Sequence, residues 1–228
     1  MSSYNRNATI AGASYLISYL GLILGGFFLS PILDAPDYLA AVYPNATTVG
    51  IGALLESVNG IAVIGIAVML FPVLKRHNEG IALGYLVFRS VEAMLSILGS
   101  TLALPLIELS HEFIQGGSPT GSYFETLGIF ALAQRHWAME MLTVFFILGA
   151  LVFYYLLYRT EVLPRFISIW GFIASLFLIA LNGLLYSGID AGIIVNLVLA
   201  LPIIANEIFL ALWLIVKGFN SSAVEATN

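Results

Sequence analysis

Apolar residues run along this chain in six long blocks, separated by short stretches that hold charge, proline or glycine. The first block covers residues 10–30 (IAGASYLISYLGLILGGFFLS), and the others cover about 50–74, 81–104, 134–158, 166–187 and 192–216. A helix needs roughly 20 predominantly apolar residues to cross the hydrocarbon core of a bilayer. The pattern therefore predicts an all-α, polytopic membrane bundle of six transmembrane helices, in a single integral membrane domain over residues 1–228. The first block is longer than the apolar core of a signal peptide and predicts a retained span. The connections KRHNEG and YRTEVLPR are short and predict that spans two and three, and spans four and five, are antiparallel neighbours. The longest connection covers about 105–133. Its centre, GGSPTGS, reads as flexible turn material. The apolar FETLGIFALA that follows is expected to lie at the interface or to extend the fourth span outward.

Charge gives these spans a direction. Arg6, Lys75, Arg76, Arg159, Arg165 and Lys217 all fall on one face of a six-span arrangement. The other face carries Asp34, Asp37, Glu108, Glu112, Glu125 and Asp190. Basic residues mark the cytoplasmic side, so both termini are expected there. Composition agrees with a lipid solvent. The chain is 60% hydrophobic and only 9% charged, against about a quarter charged in soluble domains. Its net charge of −5 does not suit a nucleic-acid partner, which needs a basic surface. There is no cysteine, which excludes disulfides and thiolate metal sites.

Small and aromatic residues suggest how the helices meet. Gly21-x-x-x-Gly25 and Gly80-x-x-x-Gly84 have the spacing that lets helix backbones approach closely. Tyr154, Tyr155, Tyr158 and Trp170 are placed for an inner interfacial belt, and Trp137 for an outer one. Pro105 and Pro202 are potential helix breaks. Pro202 precedes Asn206 and Glu207 closely enough for freed carbonyls to line a site.

Against this background several polar residues are out of place. Glu56 and Asn59 fall in span two, Arg89 and Glu92 in span three, Arg135, His136 and Glu140 at the start of span four, and Asn206 and Glu207 in span six. A charge at mid-membrane costs at least about 2.5–3.5 kcal/mol and normally faces the bundle interior or water. Counted at about 1.5 Å per residue from the acidic face, Glu56 lies roughly 9 Å deep, Asn59 about 14 Å, Glu92 about 18 Å, and Arg89 and Glu207 about 21 Å. The groups form a ladder that suggests a pocket opening outward. Glu56 and Asn59, Arg89 and Glu92, and His136 and Glu140 each share a helix face by spacing. Four glutamates face one deep cation, Arg89. The surplus is met by protonation, by a bound cation, or by pairing with Arg89 and Arg135. The candidate ligand-binding residues are thus Glu56, Asn59, Arg89, Glu92, Glu140, Asn206 and Glu207.

A divalent metal held by His136, Glu140, Glu56 and Glu92 is the sharper alternative, since helical bundles build N/O metal sites from facing helices. The paired Glu-x-x-His pattern of soluble di-iron bundles is absent. His111-Glu112 begins like a zincin motif but has Gln115 where the second histidine belongs. No Lys lies within a span to hold retinal, no two deep histidines offer haem ligation, and no nucleotide-binding motif occurs.

The run FRSVEAMLSILG, then RHWAMEM, then LPRFISIWGFIASL, resembles a prokaryotic family of multi-pass membrane proteins catalogued as a domain of unknown function. The resemblance covers nearly the whole chain and implies a bacterial or archaeal inner membrane. It brings no activity or site residue with it. Three readings stand: a protein binding or transporting a cation, protons or a small polar ligand; an intramembrane metal-dependent hydrolase; and a structural or accessory membrane subunit. Whether the chain is an enzyme stays open at this point, as does its oligomeric state.

Overall fold

A computed structural model of the chain describes residues 3–118 and 121–220. These are helical, with no strand among them. Helix α1 runs Ser3–Leu33, a short α2 Tyr38–Val42, α3 Ala46–His77, α4 Glu79–Thr101, α5 Pro105–Gln115, α6 Tyr123–Thr160, α7 Arg165–Tyr186 and α8 Gly192–Val216. A single 3-10 turn, Tyr43–Asn45, joins α2 to α3. Six helical stretches are long and apolar enough to cross a membrane: Tyr4–Leu33, Tyr38–His77, Glu79–Gln115, Tyr123–Thr160, Arg165–Tyr186 and Gly192–Val216.

The helix ends follow local chemistry. Asn78 is the whole connection between α3 and α4, and its Oδ1 accepts the Ile81 backbone N–H at 2.9 Å. That bond satisfies one of the orphan donors of a helix start. Pro105 opens α5 rather than kinking a span, a position where its missing N–H costs nothing. Helix α6 begins at Tyr123, so FETLGIFALA is an extension of the fourth span. Pro119 and Thr120, in the middle of GGSPTGS, lie outside the described residues. So do residues 1–2 and 221–228, the ends whose side of the membrane the charges predict.

Two compact units can be distinguished. One comprises the described residues of Met1–Leu16, Val63–Val91 and Thr143–Asn228. Its core is built from Tyr15, Ile66, Leu70, Leu74, Tyr85, Phe153, Tyr154, Leu157, Ile167 and Leu210, among others, all nearly inaccessible. Tyr85 stacks on Phe153 with ring centroids 5.0 Å apart. Helices α7 and α8 pack against one another here. Gly171 of α7 leaves the space that the Tyr154 ring fills, because a Cβ there would collide with it.

The other unit comprises Ile17–Ala62 and Glu92–Leu142. Its small core gathers Leu29, Ile32, Leu33, Val42, Val49, Ala103 and Leu106. Here the Gly21-x-x-x-Gly25 motif does bring α1 onto α3. A Cβ on Gly21 would lie 2.7 Å from the Leu55 carbonyl oxygen, and one on Gly25 would lie 2.8 Å from the Glu56 backbone nitrogen. Only hydrogen fits at such distances. The second motif behaves differently. A Cβ on Gly84 meets no atom within 4 Å, and one on Gly80 meets only Asn78 Oδ1 at 3.6 Å. Among the described residues the Gly80-x-x-x-Gly84 spacing therefore makes no packing contact, since close approach needs a partner helix opposite the glycines as well as the spacing.

Candidate functional site

The intramembrane polar residues fall into both units. In the unit containing Ile17–Ala62 and Glu92–Leu142, the Glu56 carboxylate of α3 accepts two hydrogen bonds from one nitrogen of Arg135 of α6. Arg135 Nη2 donates to Oε1 at 2.7 Å and to Oε2 at 2.8 Å. Arg135 Nη1 also donates to the Gly99 carbonyl at 2.6 Å. Gly99 lies in the last turn of α4, where carbonyls lack helical partners and a cation offsets the negative end of the helix dipole. One guanidinium thus ties α3, α4 and α6 together. Both side chains are largely shielded, with 14% exposure for Arg135 and 5% for Glu56.

One turn along α3, Asn59 spans two neighbours. Its Oδ1 accepts from the Ser18 hydroxyl at 2.6 Å, and its Nδ2 donates to Ser96 Oγ at 3.2 Å. Ser100 Oγ donates to the Ser96 carbonyl at 2.7 Å. Glu92 is buried on the same helix, α4, three residues after the equally buried Arg89. Glu140 is a quarter exposed and meets the half-exposed His136 at 4.0 Å, the outer limit of an ion pair.

In the other unit a second polar group forms around α8. Tyr154 of α6 donates its hydroxyl to Asn206 Oδ1 at 2.6 Å, and Asn206 Nδ2 donates to the Ile167 carbonyl of α7 at 3.0 Å. Glu207 and Arg89 both lie within electrostatic reach of the Tyr15 and Tyr154 hydroxyls, as does Tyr85. The Arg89 guanidinium also sits 5.4 Å from the centroid of the Phe146 ring, a cation–π distance. Tyr15, Tyr85, Arg89, Tyr154, Asn206 and Glu207 are all at most 6% exposed.

Several expectations from the sequence change here. Tyr154 is not an interfacial belt residue. It is 1% exposed and spends its hydroxyl on Asn206, whereas Tyr155 and Tyr158 remain exposed. Among the described residues, no three His, Asp or Glu side chains come together to hold a metal ion. Arg135 Nη2 donates to both Glu56 oxygens, and His136 lies 4.0 Å from Glu140 and edge-on to the Trp137 ring. His111, in the broken zincin motif, is 2.8 Å from Gln115 Nε2 and lies against the Tyr43 ring.

The sequence reading missed Ser18, Ser96, Tyr15, Tyr85 and Tyr154 as polar partners. Hydroxyl side chains are common in membrane helices and carry no charge signal. Only the spacing of Ser18 and Tyr15 from Gly21, on the helix that closes on α3, would have pointed to the first of them.

Six spanning helices with ionisable side chains turned inward define a multi-pass integral membrane protein. Within that class, the chain belongs to the family described as Domain of unknown function (DUF4386), whose model matches residues 10–218. Neither a curated protein nor a solved structure matches it.

Proposed function

We propose that this chain binds protons or a small polar ligand at its buried ionisable groups, as a multi-pass protein of a prokaryotic inner membrane with both termini in the cytoplasm. The orientation rests on the one-sided distribution of Lys and Arg. The observation that carries the binding reading is the composition of the group around α8. A carboxylate, Glu207, and a guanidinium, Arg89, are buried with three tyrosine hydroxyls and an amide. A bolt between helices needs one ion pair. This group gathers more ionisable and polar side chains than one pair requires, and ionisable residues within a membrane mark ligand and proton sites by default. Arg89 and Glu207 carry the charge. Asn206 and Tyr154 orient them. Glu56 and Asn59 are left out of this reading, because their polar atoms are already paired.

The test is thermal unfolding of the detergent-purified chain between about pH 5 and pH 9, alone and with monovalent cations, divalent cations and small carboxylic acids, alongside Glu207→Gln and Arg89→Gln. Binding predicts that pH or one ligand class shifts the wild-type midpoint, and that Glu207→Gln abolishes the shift while staying folded. If both variants fold and respond to every condition as the wild type does, the group is a packing device and the chain a structural subunit.

A further inference from the structure

A second site lies apart from the buried charges, in a cavity of about 330 Å³ where the α6–α7 turn meets the end of α8. Its walls include Glu161, Pro164, Arg165, Trp213, Lys217 and Phe219. The walls are firmly held. Val162 and Leu163 are buried, Phe219 is nearly so, and the Asn220 N–H donates to the Val162 carbonyl at 2.9 Å. Lys217 and Gly218 both close back onto the Trp213 carbonyl, at 2.7 and 3.1 Å. Left-handed backbone at Glu161 (φ 54°) and Gly218 (φ 69°) turns the chain on either side of the cavity.

The charge in this cavity is unbalanced. Arg165 is paired with Glu161 at 2.5 Å, which leaves Lys217 without an ion-pair partner among the described residues. The cavity also opens at the start of α7, whose dipole presents its positive end there. The site therefore favours one anion.

Its height in the membrane says which. Lys217 directly follows the last residue of α8 and Arg165 is the first of α7. Both cations stand where an apolar span ends, which is the level of lipid phosphates. Trp213, one turn inside, is the residue type that settles at the headgroup boundary. Basic pockets between spans at this level recognise anionic headgroups.

We infer that the cavity between the α6–α7 turn and the end of α8 binds the phosphate of an anionic phospholipid through Lys217 and Arg165. The shared chemistry is a phosphate oxyanion, and the lipid rather than a free phosphate is its source.

The experiment titrates the full chain, delipidated in a neutral detergent, with short-chain phosphatidylglycerol, short-chain phosphatidylcholine and inorganic phosphate, reading the thermal midpoint and lipid adducts by native mass spectrometry. The expected result is saturable stabilisation and retained adducts with phosphatidylglycerol, and much weaker effects of phosphatidylcholine and inorganic phosphate. Lys217→Gln should weaken phosphatidylglycerol binding about fivefold, and Lys217→Gln with Arg165→Gln about twentyfold. Both positions are exposed, so the single variant keeps its fold even if the double one does not. Equal binding of the two lipids, or wild-type affinity in Lys217→Gln, overturns the site. Inorganic phosphate matching phosphatidylglycerol overturns the lipid assignment.

Discussion

The two buried polar groups solve the same problem in opposite ways. Around Glu56, charge meets charge. Arg135 satisfies both carboxylate oxygens and has a further donor for the Gly99 carbonyl. Around Glu207, neutral hydroxyls take part: Tyr15 and Tyr154 lie within electrostatic reach of Glu207 and also of Arg89. Hydrogen bonds between a guanidinium and a carboxylate are short and strong, and they fix the geometry of both partners. Hydroxyls and amides can serve either as donor or acceptor, so they tolerate a change in protonation or occupancy at the group they surround. On the function proposed above, the first arrangement holds helices in register and the second binds.

The largest effect is expected from breaking the closed pair. Arg135→Met leaves the Glu56 carboxylate buried alone, and such one-sided losses cost about 3–5 kcal/mol. Adding Glu56→Leu should recover most of that loss, because apolar replacement of both partners is often neutral. Chemical unfolding of the two variants in detergent measures the difference. If Arg135→Met costs less than about 1 kcal/mol, the pair is no structural bolt and the contrast between the two groups collapses.

Gly171→Ala should come next. Its Cβ would enter the Tyr154 ring, and overpacking of this kind costs about 1–3 kcal/mol. The variant pushes the Tyr154 hydroxyl off Asn206 without altering any polar atom, so it tests whether position or chemistry matters in the second group. Tyr154→Phe keeps the ring and removes one hydrogen bond. Such bonds in membrane proteins are worth about 0.6 kcal/mol on average and less than about 2 kcal/mol at most. A stability loss in that range, joined to an altered pH dependence of the unfolding midpoint, would sharpen the assignment of this group to binding. Glu140→Gln should change stability by less than about 0.5 kcal/mol, because its contact with His136 is long and partly exposed. A larger loss would place Glu140 inside a network that its present geometry does not indicate.

Much of the architecture was legible from residue order alone, and the reasons are local. A span is written in some twenty consecutive residues, so α7 at Arg165–Tyr186 and α8 at Gly192–Val216 appear almost as the hydrophobic pattern places them. The start of α6 was less legible. FETLGIFALA is equally apolar whether it lies on an interface or continues a helix. The two glycine motifs show the limit from another direction. Among the described residues, identical spacing is a helix contact at Gly21 and Gly25 and none at Gly80 and Gly84, because a motif specifies one surface and a contact requires two.

By itself, then, the sequence determined the number of spans, their helical state and the presence of too many carboxylates for its deep cations. Each of these is a sum over neighbouring residues or a simple inventory. Only the tertiary structure decided which partner each polar group takes. Arg135 reaches Glu56 across 79 residues, and Tyr154 reaches Asn206 across 52. Nothing in the local sequence distinguishes Tyr154, buried and bonded, from its exposed neighbour Tyr155. On a helix, successive side chains point about 100° apart, and which direction meets a partner is fixed by the packing of other helices.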